Sequence, residues 1–204
     1  MIRNTYRDFH PGKPVALVGM PGVGKTTLGK LLADCFGVPF FDSDNMVEKA
    51  AGGLSVSTIY EQFGEDAFRS AERDVIRRVL MEQPCHVLAT GEGAFLDPTT
   101  RMLLLEKTCT VYMSATSAHL ADRLSRKARP QLGLPQLQMP ETGQESESGD
   151  QRNTALEQVL ETMHKDRDRL YGMADVCVFS APGSYEETLD QVLRALKQHL
   201  FHSA

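Results

Sequence analysis

The 204-residue chain is 41% apolar and carries a formal net charge of -5 at pH 7. That length supports one good core, a single domain with at most an appended lid, and the negative balance excludes a broad nucleic-acid surface while leaving room for a local anion site. No apolar run is long enough to span a bilayer, Arg3, Arg7, Asp8 and His10 interrupt any leader-like stretch, and Cys35, Cys85, Cys109 and Cys177 form no C-x-x-C pair, so a cytoplasmic protein with reduced, core-like thiols is expected.

Residues 1–13 read as a polar lead-in. The apolar run Val15-Ala16-Leu17-Val18 reads as a buried strand and leads into Gly19-Met20-Pro21-Gly22-Val23-Gly24-Lys25-Thr26-Thr27, which fits the template G-x-x-x-x-G-K-[ST] without a mismatch. Leu28, Leu31 and Leu32 then mark a helix face. Strand, glycine-rich loop and helix in register form a phosphate cradle, because backbone N–H groups turn inward at a helix N-terminus whose dipole favours negative charge. Gly22, Val23, Gly24, Lys25, Thr26 and Thr27 are therefore the candidate nucleotide-binding residues, with Lys25 reaching the β- and γ-phosphates and the Thr26 hydroxyl on Mg²⁺.

Val38 to Asp44 reads as a second strand ending in two carboxylates, Asp42 and Asp44, with alternate side chains on one side of an extended chain. At the carboxyl end of a strand they lie on the ligand side of an α/β sheet, one near a metal and one near a substrate, although Asp is also a favoured helix cap. Ser55 to Met81 reads as two helices broken at Gly64, with Ile59, Phe63, Phe68, Val75, Ile76 and Val79 as apolar faces. Arg69 and Glu72 are spaced i, i+3, either as a solvated pair or with Glu72 orienting Arg69 toward an anion.

Val87 to Gly93 is a third buried strand running into a glycine turn; a helix follows over 98–107, a strand over 109–113 and a helix over about 116–127. Residues 128–152 break this alternation with prolines, glycines and the acidic stretch 141–150, and read as a mobile lid whose stem carries Arg126, Lys127 and Arg129. A helix over about 154–171 ends in Lys165, Arg167 and Arg169, which pattern alone makes structural, since cations suit a helix C-terminus. A strand over 176–179 and a helix over about 185–201 close the chain, without repeats or heptads. The expected fold is α/β, three layers, with a five-stranded parallel sheet between helices.

In this order the signatures resemble shikimate kinase, a member of the nucleoside-monophosphate-kinase-like P-loop group. They are the phosphate loop, F-F-D-S-D ending at Asp44, F-R-S-A-E from Phe68 to Glu72, L-A-T-G-E-G-A-F, Arg129-Pro130, and R-D-R-L-Y from Arg167 to Tyr171. The resemblance implies a monomeric P-loop kinase in which ATP, with Mg²⁺, phosphorylates the 3-hydroxyl of shikimate on the way to chorismate, with no nucleic-acid or membrane partner. It implies Lys25 on the transferring phosphate, Thr26 and, through water, Asp42 on the metal, and Asp44 as base and hydroxyl contact. Arg69 and Arg167 would clamp the carboxylate, Gly91, Glu92 and Gly93 would border the substrate, Arg129 would close over the phosphates, and Arg126 would stack on adenine.

Two departures point to altered substrate choice or lost activity: Gly91-Glu92-Gly93 replaces the family's Gly-Gly-Gly, and the lid is longer. Glu92 is expected to turn its side chain away from the pocket. A kinase of another polyhydroxy acid such as gluconate, or a non-catalytic nucleotide-binding regulator, are the competing readings, and the joint presence of Asp44, Arg69, Arg129 and Arg167 favours the enzyme.

Overall fold

The computed structural model describes residues 11–125 and 149–202. Its centre is β1 (Val15–Gly19), all five residues of which are buried, as a strand covered on both faces must be. The phosphate loop leads into α1 (Lys25–Phe36), followed by β2 (Phe40–Asp42), α2 (Ser43–Ala50) and α3 (Val56–Glu82). Next come β3 (Val87–Ala89), α4 (Pro98–Lys107), β4 (Cys109–Ser114) and α5 (Ser117–Ser125). After the undescribed stretch come α6 (Gly149–Tyr171), β5 (Val176–Phe179) and α7 (Tyr185–His202). Arg126, Lys127, Arg129 and most of the expected lid lie outside the described residues.

The five strands are all parallel in the order β2-β3-β1-β4-β5. The chain leaves β1 toward β2 on one side and leaves β3 toward β4 on the other. Right-handed crossovers in opposite directions must use opposite faces, which gives the three layers. They also open a crevice between the carboxyl ends of the neighbours β1 and β3, the usual place for a ligand in an open α/β sheet.

Local chemistry sets the boundaries. Ser55 caps α3 by accepting from the Thr58 N–H at 3.1 Å, and Asp97 caps α4 from the Thr100 N–H at 2.8 Å with Pro98 at the first helical position. Gly64, at φ 82° and ψ 171°, breaks α3 where the sequence placed a break. The second strand is shorter than the expected 38–44, because Asp42 already caps α2 and Asp44 stands in that helix's first turn. Phe63, read as a core residue, is 60% exposed, since the break at Gly64 separates it from the apolar face of the longer half. Of the cysteines only Cys35 and Cys109 are buried; Cys177 is exposed on β5.

The main core joins all the layers, from Leu17, Leu28 and Leu32 to Leu104, Leu120, Leu160 and Leu193. A second, smaller cluster of Val47, Ile59, Phe68 and Val75 holds α2 against α3. Among the described residues no helix is long and apolar enough to cross a membrane. Leu17→Ala, at a fully buried position of β1, is expected to cost about 3 kcal/mol. Urea unfolding should show this as a lower midpoint at unchanged slope.

Candidate active site

At the carboxyl end of β1, Gly24 takes φ 103° as the N-cap of α1 without a side-chain cap, which leaves the helix's first N–H donors facing outward. A Cβ there would also meet the Tyr185 ring, so the left-handed turn and the close approach both require glycine. Lys25 Nζ donates to the carbonyls of Gly19 at 2.7 Å and Met20 at 3.1 Å. Arg123, lying over the Tyr185 ring, donates to the Val23 carbonyl at 3.3 Å and braces the loop from α5.

Asp42 uses its two oxygens separately. Oδ1 accepts from the N–H of Asp44 at 3.2 Å and Asn45 at 3.5 Å, capping α2, while Oδ2 accepts the Thr26 hydroxyl at 2.7 Å. The cap reading of this residue therefore holds, and its second oxygen is turned to the phosphate loop, but the alternating geometry expected for Asp42 and Asp44 does not hold. Asp44 reaches the cleft from a helical turn instead of a strand.

Behind Asp44 sits Glu72, 1% exposed. It accepts from Arg69 Nη1 at 2.8 Å and from the Ser43 hydroxyl at 3.3 Å, and Ser43 Oγ in turn accepts the Gly91 N–H at 2.7 Å. The Arg69–Glu72 pair is thus a buried, orienting contact, and the solvated reading of it falls. Arg69 also rests on the Phe68 ring at 5.2 Å and the Tyr60 ring at 6.0 Å. Although burial opposes its charge, Glu72 and Tyr60 hold its pKa above the usual value. Desolvation, then the negative charges of Glu72 and Asp42, push the Asp44 carboxyl up to about 7, with Lys25 pulling the other way.

One cleft of about 350 Å³ is lined by Lys25 and Thr26 of the phosphate loop together with Asp42, Asp44, Tyr60, Arg69 and Glu92. Glu92 is among the residues that line this cleft and its charge acts on Asp44 and Tyr60, contrary to the expectation that its side chain would turn away. The Tyr171 hydroxyl donates to the Glu92 carbonyl at 2.8 Å and so fixes how the turn presents residue 92. No residue other than glycine has positive φ among the described residues, so Glu92 carries no left-handed strain. Arg167 does not line the cleft; its guanidinium meets the Tyr171 phenol, and its Nη1 is buried without a hydrogen-bond partner. Periodicity alone gave no reason to single out Ser43, Tyr60 or Tyr171, whose contacts are made across the fold.

The family model for shikimate kinase matches residues 21–197. The chain belongs to the shikimate kinase family. The shikimate kinase of Zymomonas mobilis is 37% identical over 185 residues, which are 90% of this chain and 93% of that one. That of Novosphingobium aromaticivorans is 36% identical over 193 residues, covering 93% and 90% respectively. Among solved structures, shikimate kinase from Acinetobacter baumannii in complex with shikimate superposes with a TM-score of 0.75 at 28% identity, covering 96% of this chain and 97% of that one.

The raised Asp44 pKa has a cost in this shikimate kinase fold. Between pH 4 and pH 7 the folded state keeps a proton that the unfolded state releases, so this group's contribution to stability falls as pH rises to about 7 and stays low above it. Asp44→Asn should therefore be more stable than the parent at pH 8, by on the order of 2 kcal/mol, with the difference vanishing near pH 4. Urea titrations in EDTA without nucleotide measure this, and an equal difference at both pH values would contradict it.

Proposed function

We propose that this chain transfers the γ-phosphoryl group of ATP, with Mg²⁺, to the 3-hydroxyl of shikimate, giving shikimate 3-phosphate and ADP. The observation that carries the reading is one cleft, in a chain of this family, that holds Lys25 of a complete phosphate loop together with Asp44 and a Glu72-backed Arg69. On this reading residues 1–204 form one kinase domain with a lid at about 126–152.

Lys25, with the N–H donors of Gly22, Val23, Gly24, Thr26 and Thr27, holds the phosphates and stabilises the charge that develops on them. Asp44 accepts the proton of the attacking hydroxyl as the new O–P bond forms and the bond to the β-phosphate oxygen breaks. A carboxyl whose pKa lies near 7 suits that exchange. Arg69, oriented by buried Glu72 at Nη1, holds the acceptor's carboxylate on the Nε and Nη2 edge, where it displaces the exposed Glu65. Arg167 stands on α6 next to Tyr171, outside the lining of the cleft, and its part as a second arm of that clamp rests on the resemblance alone. The backbone of Gly91, Glu92 and Gly93 borders the ring. Arg129 as phosphate clamp and Arg126 as adenine contact rest on the resemblance alone.

The Thr26 hydroxyl and Asp42 Oδ2, 2.7 Å apart, are a pair of hard oxygens beside the phosphate loop. No cluster of three or more His, Cys, Asp or Glu residues fit for a metal occurs among the described residues. Two oxygens without a full cage fit Mg²⁺, which keeps waters and takes phosphate oxygens as its remaining ligands. When bound it would neutralise charge on the β- and γ-phosphates.

A coupled ADP-release assay across shikimate, quinate and gluconate tests the reading, with turnover on shikimate expected. Release on gluconate alone would reassign the acceptor, and release on none would leave a nucleotide-binding protein. Lys25→Ala and Asp44→Asn should each lower kcat by about a thousandfold or more while circular dichroism stays native. An Asp44→Asn variant with near-normal turnover would remove Asp44 from the chemistry.

A further inference from the structure

Of positions 91 to 93 in the turn after β3, only 92 takes a side chain without displacing a charged group. A Cβ at 91 would run into the Glu72 and Asp44 carboxylates, and one at 93 into the Arg69 guanidinium. At 92 the backbone is not left-handed and its carbonyl is held by Tyr171. The amide of Glu92 is therefore presented as a glycine's would be, and what this chain adds is a carboxylate.

That carboxylate enters a crowded electrostatic neighbourhood. It lines the cleft with Asp44, Tyr60 and Arg69, and its field reaches Asp44 and Glu72 from α2 and α3 and Tyr171 from α6. Among the described residues, Arg69 and Arg167 act on the Tyr171 phenol from α3 and α6. Arg69 is already paired with Glu72 at 2.8 Å and Glu65 at 3.3 Å. An acceptor carboxylate that docks on Arg69 thus meets a guanidinium whose charge is matched twice over, and beside it a further negative group. Selectivity among acceptors is a difference of affinities, and a repulsive charge sets it as effectively as an attractive one.

We propose that Glu92 is a specificity-determining residue of the acceptor end, a carboxylate that lowers the preference for acid over neutral acceptors. The inference rests on the shikimate kinase reading above. It makes this cleft less selective for an anionic ring acid than the same cleft with glycine at 92, and more tolerant of an acceptor with the same ring hydroxyls and an uncharged amide.

The test compares kcat and KM for shikimate and for its primary amide in the parent, Glu92→Gln, Glu92→Gly and Glu92→Asp. Gln keeps the size of Glu and removes its charge, Gly removes both, and Asp keeps the charge. The acid-to-amide ratio of kcat/KM should rise about tenfold in the Gln and Gly variants, the weight of one unit charge at close range in a partly solvated cleft. The rise should come from the acid's KM, and the Asp variant should keep the parental ratio. Thermal melts identify any variant that does not fold, and either neutral variant alone suffices for the comparison. A ratio that stays put in the folded neutral variants while shikimate is still phosphorylated overturns this inference and leaves the functional reading standing. A parent that phosphorylates neither compound overturns both.

Discussion

The active-site end of this molecule depends on a single buried carboxylate. Glu72 joins α3 to the start of α2 through Ser43, and through the same hydroxyl to the turn after β3, while its other oxygen fixes Arg69. A buried charge is costly unless it is paired and hydrogen-bonded, and Glu72 has both kinds of partner. Removing any one partner would strand the rest, so the network is held as a unit. Its negative field is also part of what keeps Asp44 protonated at higher pH than an ordinary carboxyl, which links the scaffold to the chemistry.

Topology explains why these groups meet. The crevice between β1 and β3 brings together the loop after one strand and the turn after the other, and α2 hangs from the end of β2 beside them. The pair α2 and α3 has its own small core around Phe68, apart from the main one. The acceptor-side residues Asp44, Tyr60 and Arg69 all sit on this pair, whereas the phosphate-side residues sit on the central strand and its helix.

Legibility in the sequence followed the range of the contacts. The phosphate loop was readable because its geometry is completed within nine residues, and the sheet because each strand is an apolar run followed by a helix. The end of β2 was misplaced because an apolar run stops no differently before a capped helix than before a loop; the Asp42 cap followed by a polar first turn was the available clue. Glu92 was misjudged because its presentation is set by Tyr171, 79 residues away, and Ser43 went unnoticed because its partner is 48 residues distant. Arg167 was ambiguous for the same reason: helix periodicity places it at an end and says nothing of the phenol it meets.

The close approach of Glu72, Asp44 and Arg69 to the turn after β3 also bears on how such a site can diverge. At 91 and 93 a side chain would have to displace the charged groups of the site, so change among these three positions is channelled into the third. Glycine and glutamate codons can differ by one base. A lineage can therefore pass between the two forms in one mutational step without rebuilding the fold, and the turn offers selection one adjustable position between two that are coupled to the site's charges.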